Sequence, residues 1–281
     1  MSTRITQCWN RLRDRREKAL IAFLMAGDPG IPATIEIILA LEKAGVDIVE
    51  VGIPFSEPIA DGPVIQRAGE RALRQGASVT AILQMVREIR TKSQIPLLLF
   101  SYLNPVLRYG FQRFAADAVS SGADGALITD LSVEEAAPYV SEMRGQSLDT
   151  VFLVAPTSTE ARLKRVTELS TGFVYAIART GVTGAQEQLS SSVEPLVRRL
   201  RAVTSLPIAA GFGISRPEHL RELAPLVDGV VVGSAFVRCI EEHPEDPAPH
   251  VATIARWMRE GFQSHGSAAE APQTEESQRR I

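Results

Sequence analysis

The sequence predicts an α/β fold closed as a (β/α)8 (TIM) barrel, with an extra helix ahead of the first strand and further helical sequence after the eighth. Three observations predict it. Eight short apolar runs rich in Val, Ile, Leu and Ala alternate with longer amphipathic segments, the pattern of parallel strands buried on both faces. The turn after the first run is Gly27-Asp28-Pro29-Gly30, and no G-x-G-x-x-G occurs, which disfavours a doubly wound dinucleotide-binding sheet. The length, 281 residues, suits one barrel of about 250 residues with small additions.

In chain order, the polar stretch Ser2–Arg16 reads as the extra helix. The first strand, Ala19–Ala26, follows a cluster of Arg11, Arg13, Arg15, Arg16 and Lys18 that imitates a signal peptide. Asp14 and Glu17 interrupt that cluster, and the run ends without a small-residue cleavage site, so a buried strand is the better reading. Strands then fall at Val46–Ile53, Pro96–Phe100, Gly125–Thr129, Thr150–Ala155, Phe173–Ala178, Pro207–Ala210 and Gly229–Val232. Helices are expected at Ala33–Ala44, Val79–Arg90, Phe111–Ser121, Val133–Met143, Thr159–Leu169, Val193–Val203 and Pro217–Leu223. Ser132 offers an N-cap to the fourth of these, and Pro217 sits in the first turn of the last. Gly45 and Gly122, each followed directly by a strand, read as helix stops. Helix-forming sequence from 235 to 261 closes a single domain over residues 1–262. Residues 263–281 have almost nothing to bury and read as a disordered tail.

Composition removes several function classes. A net charge of −3 gives no general attraction to nucleic acid or to an anionic membrane. No apolar segment is long enough to span a bilayer. The two cysteines, Cys8 and Cys239, suggest neither a disulfide framework nor a metal knot, usage that fits the cytoplasm. The four lysines avoid strand ends, which argues against Schiff-base chemistry. The four histidines lack ligand spacing, so no metal is expected.

In such a barrel, chemistry belongs to the C-terminal ends of the strands. Alternation along the second strand puts Ile48, Glu50 and Gly52 on one face and Val49, Val51 and Ile53 on the other. The apolar set suits the helices, which aims Glu50 into the barrel, either as a paired structural carboxylate or as a general acid/base raised by burial. The long loop 54–63 adds Glu57 and Asp61. Gly211-Phe212-Gly213-Ile214-Ser215 after the seventh strand and Gly233-Ser234-Ala235 after the eighth look like a phosphate cradle built from backbone N–H groups and a helix N-terminus. The glycine- and hydroxyl-rich loop 179–192 suits a lid. Phe23, Tyr102, Tyr175 and Phe212 are candidates for an aromatic pocket.

Residues 49–63, Val-Glu-Val-Gly-Ile-Pro-Phe-Ser-Glu-Pro-Ile-Ala-Asp-Gly-Pro, resemble the signature of the tryptophan synthase alpha chain family. The resemblance continues at Ala26-Gly27-Asp28-Pro29, Tyr102-Leu103-Asn104-Pro105, Gly172-Phe173-Val174-Tyr175, Gly181-Val182-Thr183-Gly184 and 211–215. It implies a lyase that cleaves indole-3-glycerol phosphate to indole and glyceraldehyde 3-phosphate. No cofactor is implied in this chain; pyridoxal phosphate belongs to a partner beta chain, in an alpha2beta2 heterotetramer. By the same resemblance Glu50 shuttles protons, Asp61 holds the indole N–H and Tyr175 orders the site. Gly184, Gly213, Gly233 and Ser234 bind phosphate, Phe23, Tyr102 and Phe212 surround the indole, and Thr183 orients Asp61. Two positions depart from the family pattern: Glu57 stands where Asp is usual, and Ser132 where Pro is frequent. Both fall in loops that face the beta chain in the family. Rival readings are a free-standing lyase, another phosphate-binding barrel and a catalytically silent regulatory subunit.

Overall fold

A computed structural model describes residues 2–177, 189–211 and 213–262. Its strands are β1 (Ala19–Met25), β2 (Ile48–Gly52), β3 (Leu97–Ser101), β4 (Gly125–Ile128), β5 (Asp149–Val151), β6 (Leu153–Val154), β7 (Val174–Ile177), β8 (Ile208–Gly211) and β9 (Gly229–Val232). Every pairing between them is parallel, and the order is β5-β4-β3-β2-β1-β9-β8-β7-β6. The two ends of that order, β5 and β6, are separated in the chain by Phe152 alone. They are the two halves of the predicted fifth strand, one pairing with β4 and the other with β7, so the sheet closes as an eight-position barrel.

The helices are α1 (Arg4–Arg15), α2 (Ile31–Lys43), α3 (Pro63–Arg74), α4 (Val79–Arg90), α5 (Leu103–Tyr109), α6 (Phe111–Ser121), α7 (Ala137–Gly145), α8 (Glu160–Leu169), α9 (Leu189–Arg201), α10 (Pro217–Leu223), α11 (Ser234–Glu242) and α12 (Pro247–Arg259). Two of these, α3 and α5, are additions to the predicted set. The buried face of α3 is Ile65, Ala68, Gly69 and Ala72. Such small residues bury well but make a faint hydrophobic period. The predicted start of a helix at Val133 is corrected to Ala137. Pro138 must occupy the first turn because its ring lacks an N–H and would clash with the preceding turn. Ser132 therefore caps no helix; its Oγ faces the Glu135 carboxylate at 3.4 Å. The stops at Gly45 and Gly122 hold, with φ of +93° and +90°. Among the described residues no helix is long and apolar enough to cross a membrane.

Strand alternation divides the core into two shells. Leu20, Ala22, Leu24, Val49, Val51, Leu97, Leu99 and Ala126 pack outward against the helices. Ile21, Phe23, Ile48, Leu98, Leu127, Val151, Tyr175, Ala209 and Val231 fill the barrel. Helix α1 plugs the end from which the strands start. Its Ile5, Cys8, Trp9 and Leu12, spaced for one helical face, are buried. Trp9 meets Phe173 at 5.7 Å between ring centroids and leaves no room for a side chain at Gly229, where a Cβ would stand 2.7 Å from its ring.

The same end carries a repeated device. Asp47, Asp124 and Asp228 each sit one residue before a strand. They accept from the backbone N–H of Leu20 (2.9 Å), Leu97 (2.8 Å) and Ile208 (2.8 Å) on the neighbouring strand. Each also pairs with an arginine near a helix C-terminus: Arg259 at 2.8 Å, Arg90 at 2.9 Å, and Arg201. Asp124 takes Arg4 of α1 as well, at 2.9 Å.

Candidate active site

Glu50 occupies the middle of β2, in register with Phe23 of β1 and Leu98 of β3. Because Val49 and Val51 serve the outer shell, its side chain points into the barrel as the alternation predicts. It is fully buried, and neither carboxylate oxygen has a hydrogen-bond partner among the described residues. Burial without a counter-charge pushes its pKa up to about 8. Tyr175 of β7 shares this interior: burial raises its phenol well above the ordinary value, and the Glu50 charge raises it further. Glu50 is thus poised to give up a proton near neutrality. A structural carboxylate in this position would need a cation, and among the described residues none is paired with it.

Glycines make space for the rings around it. A Cβ at Gly211 would overlap the Tyr175 hydroxyl, and one at Gly52 would stand 2.8 Å from Phe23 Cζ. Phe23 meets Phe100 edge-on at 5.2 Å, and Tyr102 meets Phe55 at 5.5 Å. Phe100 was not among the expected site residues; Gly52 was expected only on the inward face and Gly211 in the phosphate cradle, whereas each makes room for a ring. Phe100 could have been found, since it lies two residues beyond Leu98 and must share its inward face. What requires glycine at 52 and 211 is a contact across the sheet, which spacing along the chain does not show.

Asp61 stands at the end of the loop between β2 and α3. Tyr102 organises this loop: its Oη accepts the Ala60 N–H at 2.9 Å, and its hydroxyl hydrogen-bonds to the Asp61 carboxylate. Gln66 of α3 donates to the Asp61 carbonyl at 2.8 Å. Burial pushes the Asp61 pKa up to about 6, against the lowering effect of the Tyr102 hydrogen bond. The two carboxyl groups therefore bracket neutrality from opposite sides.

Three residues of the expected anion cradle, Gly213, Gly233 and Ser234, fall among the described residues. Gly233 caps α11 with no side chain over the helix end, and Ser234 is the first helical residue. A helix start of this kind offers N–H groups and partial positive charge to a ligand. Gly213 adopts φ +74°, a conformation suited to glycine. Phe23 ties the cradle to the pocket, because a Cβ at Gly233 would lie 3.4 Å from Phe23 Cβ. Of the predicted site residues, Glu50, Asp61, Tyr102, Tyr175, Phe23, Gly213, Gly233 and Ser234 are placed. Thr183, Gly184 and Phe212 lie outside the described residues, as do the tail 263–281 and most of loop 179–192.

Two grooves, of about 410 and 270 Å3, border the outer side of the loop after β2. Their walls include Phe55, Ser56, Leu73, Asn104 and Arg108 in the first and Glu57, Ile59 and Glu70 in the second; Glu50 lines neither.

Known proteins resemble this chain over almost its whole length. The family model described as tryptophan synthase alpha chain matches residues 9–264. The tryptophan synthase alpha chain of Solibacter usitatus is 54% identical over 92% of this chain and 98% of its own. That of Desulfatibacillum aliphaticivorans is 47% identical over 88% and 93%. The crystal structure of tryptophan synthase subunit alpha from Legionella pneumophila superposes with a TM-score of 0.86 at 34% identity, covering 93% of this chain and 99% of that one. A chain of the aminoacrylate-bound tryptophan synthase from M. tuberculosis gives 0.84 at 35% identity, covering 93% and 100%.

Proposed function

This chain belongs to the tryptophan synthase alpha chain family, and we propose that Glu50 and Asp61 are the pair through which it works. It is a lyase of tryptophan biosynthesis, cleaving indole-3-glycerol phosphate to indole and glyceraldehyde 3-phosphate. At pH 7 a carboxyl group with a pKa near 8 is about nine-tenths protonated and one near 6 about nine-tenths ionised, by ordinary titration. Protonated Glu50 gives its proton to indole C3. Positive charge then develops at the ring nitrogen, where ionised Asp61 accepts the N–H hydrogen bond. The Glu50 carboxylate next takes the proton from the side-chain hydroxyl next to the scissile bond. The carbon–carbon bond breaks, its electrons return to the ring, and the hydroxyl carbon becomes the aldehyde. Glu50 ends protonated again, so the cycle balances without an added acid or base.

Phe23, Phe100 and Tyr102 offer apolar walls to the indole, and by family resemblance Phe212 would join them. Gly213, Gly233 and Ser234 would take the phosphate through backbone N–H groups, together with Gly184, and Thr183 would steady Asp61. Tyr175, held by the space at Gly211, fixes the Glu50 side of the pocket. The observation that carries this reading is a carboxyl group inside the barrel with neither a cation nor a hydrogen-bond partner among the described residues. Its test is indole release: Glu50→Gln should lower turnover by about 10²–10⁴ with ligand affinity little changed. Turnover near that of the unaltered chain would overturn the assignment.

A beta chain carrying pyridoxal phosphate is the proposed partner, in an alpha2beta2 assembly in the cytoplasm; this chain itself is proposed to need no cofactor or metal. Support comes from the grooves beside the loop after β2 and from exposed apolar residues that line them, Ile59 at 86% and Leu73 at 37%. Glu57 lines one of these grooves, so its extra methylene would tune partner coupling rather than cleavage. Indole release measured with and without a beta chain separates this reading from a free-standing lyase: strong activation supports the complex, and equal rates reject it.

A further inference from the structure

One arginine joins the three elements that carry the proposed site. Arg71, two turns into α3, the helix that follows Asp61, donates from Nε and Nη2 to the two oxygens of Asp28, both at 2.8 Å. Its Nη1 donates to Glu241 of α11 at 2.7 Å. Glu241 also receives Arg67 in a two-point contact, both bonds 2.7 Å. Asp28 lies in the loop after β1, the strand of Phe23, and is buried. Helix α11 starts at Ser234 in the anion cradle. The guanidinium therefore reaches from the Asp61 helix to both the Phe23 strand and the cradle helix.

Packing alone would hold α3 loosely along its axis. Its buried face is mostly Ala and Gly, and Ala72 makes only ordinary van der Waals contact with the β1 loop, 3.5 Å from where a Cβ at Gly27 would stand. Small residues permit close approach but interdigitate little, so sliding is resisted chiefly by directional bonds. A planar fork shared between two carboxylates is well suited to that task, and a lysine ammonium is not.

We propose that Arg71 is a positioning residue of the lyase site, setting Asp61 at a fixed distance from the phosphate anchor by bracing α3 against β1 and α11. This rests on the reading of Asp61 and the cradle given above. A substrate held at both ends then reacts only when the spacing is right, whereas a ligand that occupies one end is indifferent to it.

The test compares Arg71→Lys and Glu241→Gln with the unaltered chain, all assayed well below their melting temperatures. Three probes are titrated: indole, glycerol 3-phosphate, and an indole joined to phosphate through a three-carbon chain. For Arg71→Lys the expectation is a loss of about 10–100-fold in kcat/KM and a loss of at least about fivefold in affinity for the joined probe, with each single-ended probe within about twofold of normal. Glu241→Gln should show the same signature, smaller. Equal changes in all three probes, or unchanged kcat/KM in folded variants, would reject the positioning role and reduce the clamp to a structural ion pair. An unaltered chain that releases no indole would instead reject the lyase reading itself.

Discussion

The two ends of the barrel treat their carboxylates in opposite ways. At the end where the strands start, Asp47, Asp124 and Asp228 are each met by an arginine and by a backbone N–H of the neighbouring strand. Nearer the other end, among the described residues, Glu50 has no hydrogen-bond partner and Asp61 has a tyrosine hydroxyl and no cation. The contrast shows how one fold divides labour. A carboxylate that gains a cation and a donor offsets its desolvation and ties strands together. One denied a cation keeps its proton into the neutral range and can pass it on.

The contrast can be broken most sharply at Glu50. Turnover limited by protonated Glu50 and ionised Asp61 should follow a bell with limbs near pH 6 and pH 8, and Glu50→Gln should flatten it along with the rate. Stability should move the other way. The folded pKa lies above the ordinary 4.5, so the unfolded chain releases this proton first and stability falls as pH rises from 4.5 to 8. The Gln variant lacks that loss, and at pH 8 it should be more stable than the unaltered chain by up to about 4 kcal/mol. Denaturant titrations at pH 5 and pH 8 measure the difference; a variant equally or less stable at pH 8 would contradict the buried, unpaired state.

Asp124→Asn is the counterpart at the paired end. It strips the counter-charge from Arg90, whose side chain is only 9% exposed, and should cost about 3–5 kcal/mol in urea unfolding. Cleavage rates of the folded fraction should stay within about twofold, because the pair lies away from the substrate. A large rate defect with intact folding would erase the division between the ends.

Gly211→Ala probes the space that Tyr175 requires. The added methyl overlaps the phenol, so the ring must shift against Glu50, with an expected rate loss of about 10–100-fold. Kinetics combined with a thermal melt would show whether the defect is local. The smallest effect is expected from Tyr102→Phe, which removes a bond that lowers the Asp61 pKa. The acid limb of the pH profile should move upward by about one pH unit, the scale of a charge-assisted hydrogen bond. An unmoved limb would separate Tyr102 from Asp61.

Legibility in the sequence followed the same divide. Strands were readable because burial on both faces demands long apolar side chains, and the inward aim of Glu50 followed from two-residue alternation. Helix α3 was not, because its contact face is built from Ala and Gly. The Asp47 and Asp124 clamps hid inside motifs read only for their glycines. Their arginine partners Arg259 and Arg90 lie 212 and 34 residues away, and no local pattern announces such pairings.

By itself the sequence determined the order of the strands and of the helices other than α3 and α5, the face on which Glu50 stands, and a motif specific enough to name the family. Those features depend on neighbours within a few residues, where side-chain periodicity and backbone sterics act. Only the tertiary structure decided that Glu50 has no counter-charge among the described residues, that Gly52 and Gly211 yield their space to Phe23 and Tyr175, and that Arg71 bridges Asp28 and Glu241. The physical reason is that desolvation, packing and ion pairing are set by distances through space, and closing the barrel brings together groups that the chain keeps far apart.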